Sequence, residues 1–195
     1  MSQAERAAEA EQTQTKYLGF WIYLMTDCIL FASVFATYIV LRENTFGGPG
    51  GGELFDMPFV LIQTLLLLTS SFVCGLALLA ARARKKAAVI GWLIATFIFG
   101  AAFLVLELSE FIKLIGEGHG WQASAFLSSF FTLVGLHGAH IAVGLLWLVV
   151  IVWQIMRLGF TAGTTRRLTL FSLFWHFLDV IWICIFTIVY LMGVL

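Results

Sequence analysis

Five long apolar runs, Leu18–Leu41, Met57–Ala81, Ala87–Leu106, Trp121–Met156 and Leu168–Leu195, constrain this chain more than any other feature. Each meets or exceeds the roughly 18 to 20 residues that cross a hydrocarbon core about 30 Å thick at about 1.5 Å of rise per residue. Segments of a membrane β-barrel would instead be about 10 residues long and alternate in polarity, because one face meets lipid and the other the lumen. None of these runs alternates. Composition agrees: 61% of the residues are hydrophobic, 11% are charged, and the mean hydropathy is +0.99. The spacing predicts an all-α membrane protein with helices over about 17–42, 57–81, 87–114, 124–156 and 168–193. They form one domain, 17–195, behind a polar disordered tail, 1–16, which has no short apolar segment and cleavage site of the signal-peptide kind.

The 11 basic residues set an orientation. Arg6, Lys16, the run Arg82, Arg84, Lys85, Lys86, and Arg157, Arg166, Arg167 all fall on the N-terminal side, leaving only Arg42 and Lys113 opposite. Positive charge marks the cytoplasmic side, so the N-terminus is expected in the cytoplasm and the C-terminus across the membrane, in the periplasm. Tyr17 and Trp21 at one boundary, and Trp121 and Tyr190 at the other, read as interfacial anchors. The RARKK run reads as a topology determinant or an anionic-lipid contact, and no nucleic-acid partner is expected. The segment GGPGGGELFDMP lacks the strand and Lys-Ser/Thr of a phosphate loop and reads as a flexible turn, with Pro58 in the first turn of the next helix. Cys28, Cys74 and Cys184 fall singly on three helices, without metal-binding spacing, and read as buried filler.

Ionisable groups in the hydrocarbon are costly enough that each invites a functional reading. Asp27 lies about 15 Å from Tyr17, and Asp179 about 16 Å from Leu168, which places both near mid-membrane. His137 with His140, and His176 with Asp179, are i, i+3 pairs and share a helix face. These groups are expected to face protein, water or lipid headgroups, since acyl chains offer no hydrogen bonds. On the fourth helix Gly135, Gly138, Ala139 and Ala142 offer a thin surface for close approach of another backbone. Glu107 and Glu110 fall near the far end of the third helix, where they read as solvated, with Lys113 as a partner for Glu110. Three functions fit these facts: a cytochrome with axial histidines, a proton or solute carrier, and an accessory subunit that uses polar groups for packing and lipid.

The element WHFLDVIW, Trp175–Trp182, with GLHGAH on the helix before it, resembles subunit III of the haem-copper respiratory oxidases. FWIYLMTDCILFASVFATY and FGAAFLVLELSEF extend the resemblance over nearly the whole chain, and the five-helix form is most similar to the branch found in bacterial cytochrome o ubiquinol oxidases. The resemblance implies an accessory subunit of a proton-pumping oxidase in the bacterial inner membrane. It also implies quinol as electron donor, with cytochrome c as the alternative. Haem and copper would be held by subunit I, and this chain would hold neither metal nor catalytic residues. Subunit I would be a direct partner, with subunits II and IV in the same complex. A V-shaped cleft would hold phospholipid, and the subunit would support subunit I stability and proton uptake. Asp27, His137, His140, Trp175, His176 and Asp179 are the residues expected to make interhelical or lipid contacts. Many members carry Glu where this chain has Asp27, one methylene shorter, so the hydrogen bond of that Glu is replaced or water-mediated here.

Overall fold

A computed structural model describes residues 3–194 and shows five helices long and apolar enough to cross a membrane. They are α1 (Gln3–Leu41), α3 (Met57–Arg82), α4 (Lys86–Gly116), α5 (Ala125–Leu158) and α6 (Ala162–Ile185). Helix α6 continues through a π-helical turn, Phe186–Leu191, into the short α7 (Met192–Val194). The first helix starts at Gln3, so residues 3–16, expected as a disordered tail, continue α1 as helix.

Local chemistry sets most of the ends. Ser124 Oγ accepts from Leu127 N at 3.1 Å to cap α5, and Gly159, at φ 66°, closes its other end. Thr161 and Thr164 form a reciprocal capping box at the start of α6, a device that contributes about 1 kcal/mol. Pro58 sits in the first turn of α3. The connection from α3 to α4 is only residues 83–85, with Arg84 at φ 55°. So short a turn makes the two helices antiparallel neighbours, and they pack together along their length.

The packing surfaces repeat with coiled-coil spacing. The buried stripe of α4 runs Val89, Leu93, Thr96, Gly100, Phe103, Glu107, Glu110, Leu114, and on α6 Leu168, Phe171, Trp175, Leu178, Trp182 and Ile185 are buried in the same alternation of three and four. Helix α6 packs on α3 and α5, and α5 also packs on α4. Helix α1 lies at the edge, chiefly against α5 and to a lesser extent α6, which opens a groove between α1 and α3 with α6 as its floor.

Trp175 ties the centre together. A methyl group added to Gly100 of α4 or Gly144 of α5 would lie 2.8 Å from its ring, so both glycines are needed for the indole to fit between the helices. Its Nε1 donates to Ser70 Oγ of α3 at 3.2 Å, and Trp182 Nε1 donates to Thr64 Oγ1 at 3.0 Å.

The Gly-rich loop is docked, contrary to its reading as a flexible turn. It contains the short α2 (Gly51–Leu54), whose Gly51 abuts the backbone of Gly193. Phe55 is buried against Phe126, Phe130 and Tyr190, with ring centroids 4.7 Å apart in the last pair. Tyr190 is likewise wholly buried, where an interfacial anchor was expected. Of the cysteines, Cys74 is buried, Cys184 is intermediate and Cys28 is exposed, so the filler reading holds fully only for Cys74.

Candidate functional site

The intramembrane polar residues fall into three surroundings. The first is the seam between α1 and α5. Asp27 is 9% exposed, and its Oδ2 lies 3.7 Å from His140 Nε2. His140 Nδ1 is 2.8 Å from the Leu136 carbonyl; a carbonyl can only accept, so Nδ1 carries a hydrogen. The remaining ring nitrogen, Nε2, faces Oδ2 at a distance too long for a direct hydrogen bond, and Oδ2 has no other partner. The contact also places Asp27 and His140 at one depth, as their positions along the two helices imply.

The second surrounding is the groove beside α1. Its lining of about 420 Å³ includes Tyr17, Trp21, Gly75, Leu78, Ser172 and His176. His176 is exposed there, not sheltered between spans, and its Nδ1 turns back to the Ser172 carbonyl at 2.6 Å. The expected pairing of His176 with Asp179 is not among the hydrogen bonds and ion pairs of the described residues. Asp179 is half-buried, and its Oδ1 has no hydrogen-bond partner. Tyr17 also lines a second cavity, of about 470 Å³, whose other lining residues include Arg82, Arg84, Arg166, Thr161 and Thr165. Groove and basic cavity are thus neighbours at the end of the bundle that carries the short α3–α4 turn.

The third surrounding lies within the bundle. His137 is wholly buried, stacked on Trp182 at a centroid distance of 5.3 Å and edge-on to Phe103 at 6.0 Å. Glu107 and Glu110, expected to be solvated, are 1% and 9% exposed. Both lie on the three-four stripe of α4, which turns them inward at a depth where lipid-facing acids would reach water. That register was the signal available in the sequence. Glu110 Oε2 accepts from Gln63 Nε2 at 3.4 Å and from Tyr190 Oη at 3.3 Å, rather than pairing with Lys113 as expected. The π-helical turn widens the helix where Tyr190 enters the bundle, and Tyr38 Oη donates to the Val189 carbonyl of the same turn at 3.5 Å.

The thin surface of α5 is used, though not by a second backbone. A methyl group on Gly138 would fall 2.5 Å from Glu107 Oε1, so the close neighbour is a carboxyl group. Gly135 makes only ordinary contact with Phe111. Sequence reasoning also missed Gly100, Gly144 and Trp182, whose roles depend on which helices face one another.

Among the described residues no three His, Cys, Asp or Glu side chains converge as a metal centre requires. A cytochrome would need two imidazoles facing one another, whereas His137, His140 and His176 lie in three different environments. The arrangement instead suits packing and contact with a molecule in the groove.

Comparison with known proteins identifies the lineage. Residues 7–194 match the sequence profile of the family described as Cytochrome c oxidase subunit III. The chain is 58% identical to cytochrome bo(3) ubiquinol oxidase subunit 3 of Pseudomonas aeruginosa over 177 residues, 91% of this chain and 85% of that protein. It is 55% identical to the subunit of the same name from Pseudomonas putida over 182 residues, 93% and 88% of the two chains. Cytochrome c oxidase subunit 3 of Bacillus sp. is 44% identical over 189 residues, 97% and 91% of the two chains. With a matching profile over nearly its whole length and relatives this similar, the chain belongs to the cytochrome c oxidase subunit III family.

Proposed function

We propose that this chain is the accessory, non-redox subunit III of a bacterial proton-pumping ubiquinol oxidase in the inner membrane. It binds subunit I directly, shares the complex with subunits II and IV, and supports subunit I stability and proton uptake. The observation that carries this reading is the 58% identity over 91% of the chain to a ubiquinol oxidase subunit 3. The lower identity, 44%, to a cytochrome c oxidase subunit 3 makes cytochrome c the second candidate donor. Haem and copper belong to subunit I in this reading, and residues 17–195 form the membrane domain. The basic end of the bundle faces the cytoplasm and the C-terminus faces the periplasm.

Phospholipid occupies the groove between α1 and α3. Three arginines line the basic cavity and match a phosphate headgroup in charge, and the adjoining groove past Trp21 and Leu78 takes an acyl chain. His176 lines this groove, Asp179 lies one turn further along α6, and Asp27 with His140 braces α1 against α5.

Affinity purification of the chain from its native membrane tests the assignment. The expected result is haem and copper co-purifying with a larger partner and quinol-dependent oxygen consumption. Purification without haem, or oxidation of cytochrome c but not quinol, would refute the quinol reading. Changing Arg82, Arg84 and Arg166 together to Gln should deplete anionic phospholipid from the complex in lipid mass spectrometry. Unchanged lipid content would remove the headgroup site.

A further inference from the structure

Five side-chain atoms in the heart of the bundle are buried without a hydrogen-bond partner: both oxygens of Glu107, both nitrogens of His137 and Oε1 of Gln63. These side chains come from α4, α5 and α3 and are 1%, 0% and 0% exposed. The helices that carry them pack on one another, α4 against both α3 and α5. Glu107 lies against the α-carbon of Gly138, the residue after His137, and Phe103, one turn before Glu107, packs edge-on to the His137 ring. Gln63 reaches the same level by donating to Glu110, three residues along α4 from Glu107.

Leaving one such group dry costs several kcal/mol in hydrocarbon-like surroundings, and native proteins leave few of them unpaired. A protein that only needed to fill this volume would place apolar residues on these stripes, as α4 does at Val89, Leu93 and Phe103. The hydrogen-bonding capacities point to one small ligand. A carboxyl group, an imidazole and an amide oxygen together present donors and acceptors in the mixture that a water molecule satisfies with about three bonds. A metal ion would need further ligands, and no cluster of three His, Cys, Asp or Glu side chains exists among the described residues.

We propose that Glu107, His137 and Gln63 form an internal binding site for ordered water, through which the acid and the imidazole share a proton. The site is separate from the groove and from the Asp27–His140 seam, and it does not depend on which partners the chain assembles with. Glu110 stands between the site and a cavity of about 180 Å³ that it lines with Asp56, Ser109 and Lys113, and it accepts from Gln63 and Tyr190. On the far side, His140 follows His137 by one helical turn, with Phe31 packed against both rings at 6.5 Å and 5.2 Å. The Asp27–His140 seam thus lies across the Phe31 ring from the His137 site.

Cryo-electron microscopy of the intact complex in lipid nanodiscs, at a resolution that shows water, should reveal density bridging Glu107 and His137. Side chains that satisfy one another directly, with no density between them, would overturn the proposal. Infrared difference spectra give an independent test. The carboxyl vibration that disappears in E107Q should shift in deuterated water and shift again in H137Q. A Glu107 band indifferent to both changes would overturn the proposal, because a dry packing role predicts neither shift.

Discussion

The two faces of α6 share eight consecutive residues and have opposite fates. On one face Trp175 and Trp182 are 1% and 0% exposed, each donating its indole N–H to a hydroxyl on α3. On the other, His176 stands exposed in the groove with its Nδ1 hydrogen-bonded only within its own helix, and Asp179 is half-buried with one oxygen unpartnered. The first face is fixed by shape, since two glycines on two other helices make room for one ring. The second is polar and incompletely satisfied by protein, which suits contact with something outside the chain. Polarity in a membrane sequence thus marks either a bundle-stabilising bond or a meeting place, and helix phase decides which.

Substitution can break this contrast, and Trp175→Ala should do most. Emptying a wholly buried indole site costs about 3–5 kcal/mol, read as a marked drop in the unfolding temperature of the purified complex. A loss no greater than that of His176→Ala would contradict the division between the faces. Gly144→Val should cost less, about 1–3 kcal/mol, because the added carbons meet the Trp175 ring and the helices must separate. The same thermal assay checks it, and restored stability in Gly144→Val combined with Trp175→Leu would locate the clash.

Ser70→Ala leaves the Trp175 N–H without its acceptor, and Asp27→Asn weakens the seam with His140. Each should cost about 0.6–2 kcal/mol, the range for interhelical polar contacts in membranes. A double-mutant cycle of Asp27→Asn with His140→Leu that shows no coupling would deny the seam any energetic role. The smallest stability effect belongs to His176→Leu, below about 0.5 kcal/mol as for surface positions. Its effect should appear in lipid retention instead. Asp179→Asn should leave oxygen reduction intact in the fully assembled complex, and loss of turnover there with normal haem content would contradict an accessory role.

Much of the fold was legible because span length and apolarity are local properties. All five spans were located, and Pro58, Ser124 and Gly159 lie close to helix ends. Helix rotation was the harder quantity. Depth counting put Glu107 and Glu110 near a boundary, and only the three-four stripe of α4, read in full from Val89 to Leu114, shows that they turn inward. The same stripe on α6 passes through Trp175 and Trp182 and bypasses His176, so an i, i+3 relation between His176 and Asp179 was a poor guide to their neighbours. Asp27 with His140 was legible as a matter of depth, but its geometry depends on α1 packing against α5. Arg84 at positive φ and the π-helical turn carry no Gly or Pro to announce them. The start of α1 at Gln3 was missed because polar residues say little about whether an established helix continues past the lipid boundary.

The wide turn at Phe186–Leu191 has a consequence for how the last part of the chain is aimed. Each residue absorbed into such a turn rotates everything beyond it by about 100° without an added full rung of ordinary helix. The terminal segment is therefore steered by angular phase, and its direction presses Gly193 onto Gly51 across the top of the bundle. Deleting one residue there would do little to the chain's reach, yet it would swing the latch formed by these two glycines away from its catch.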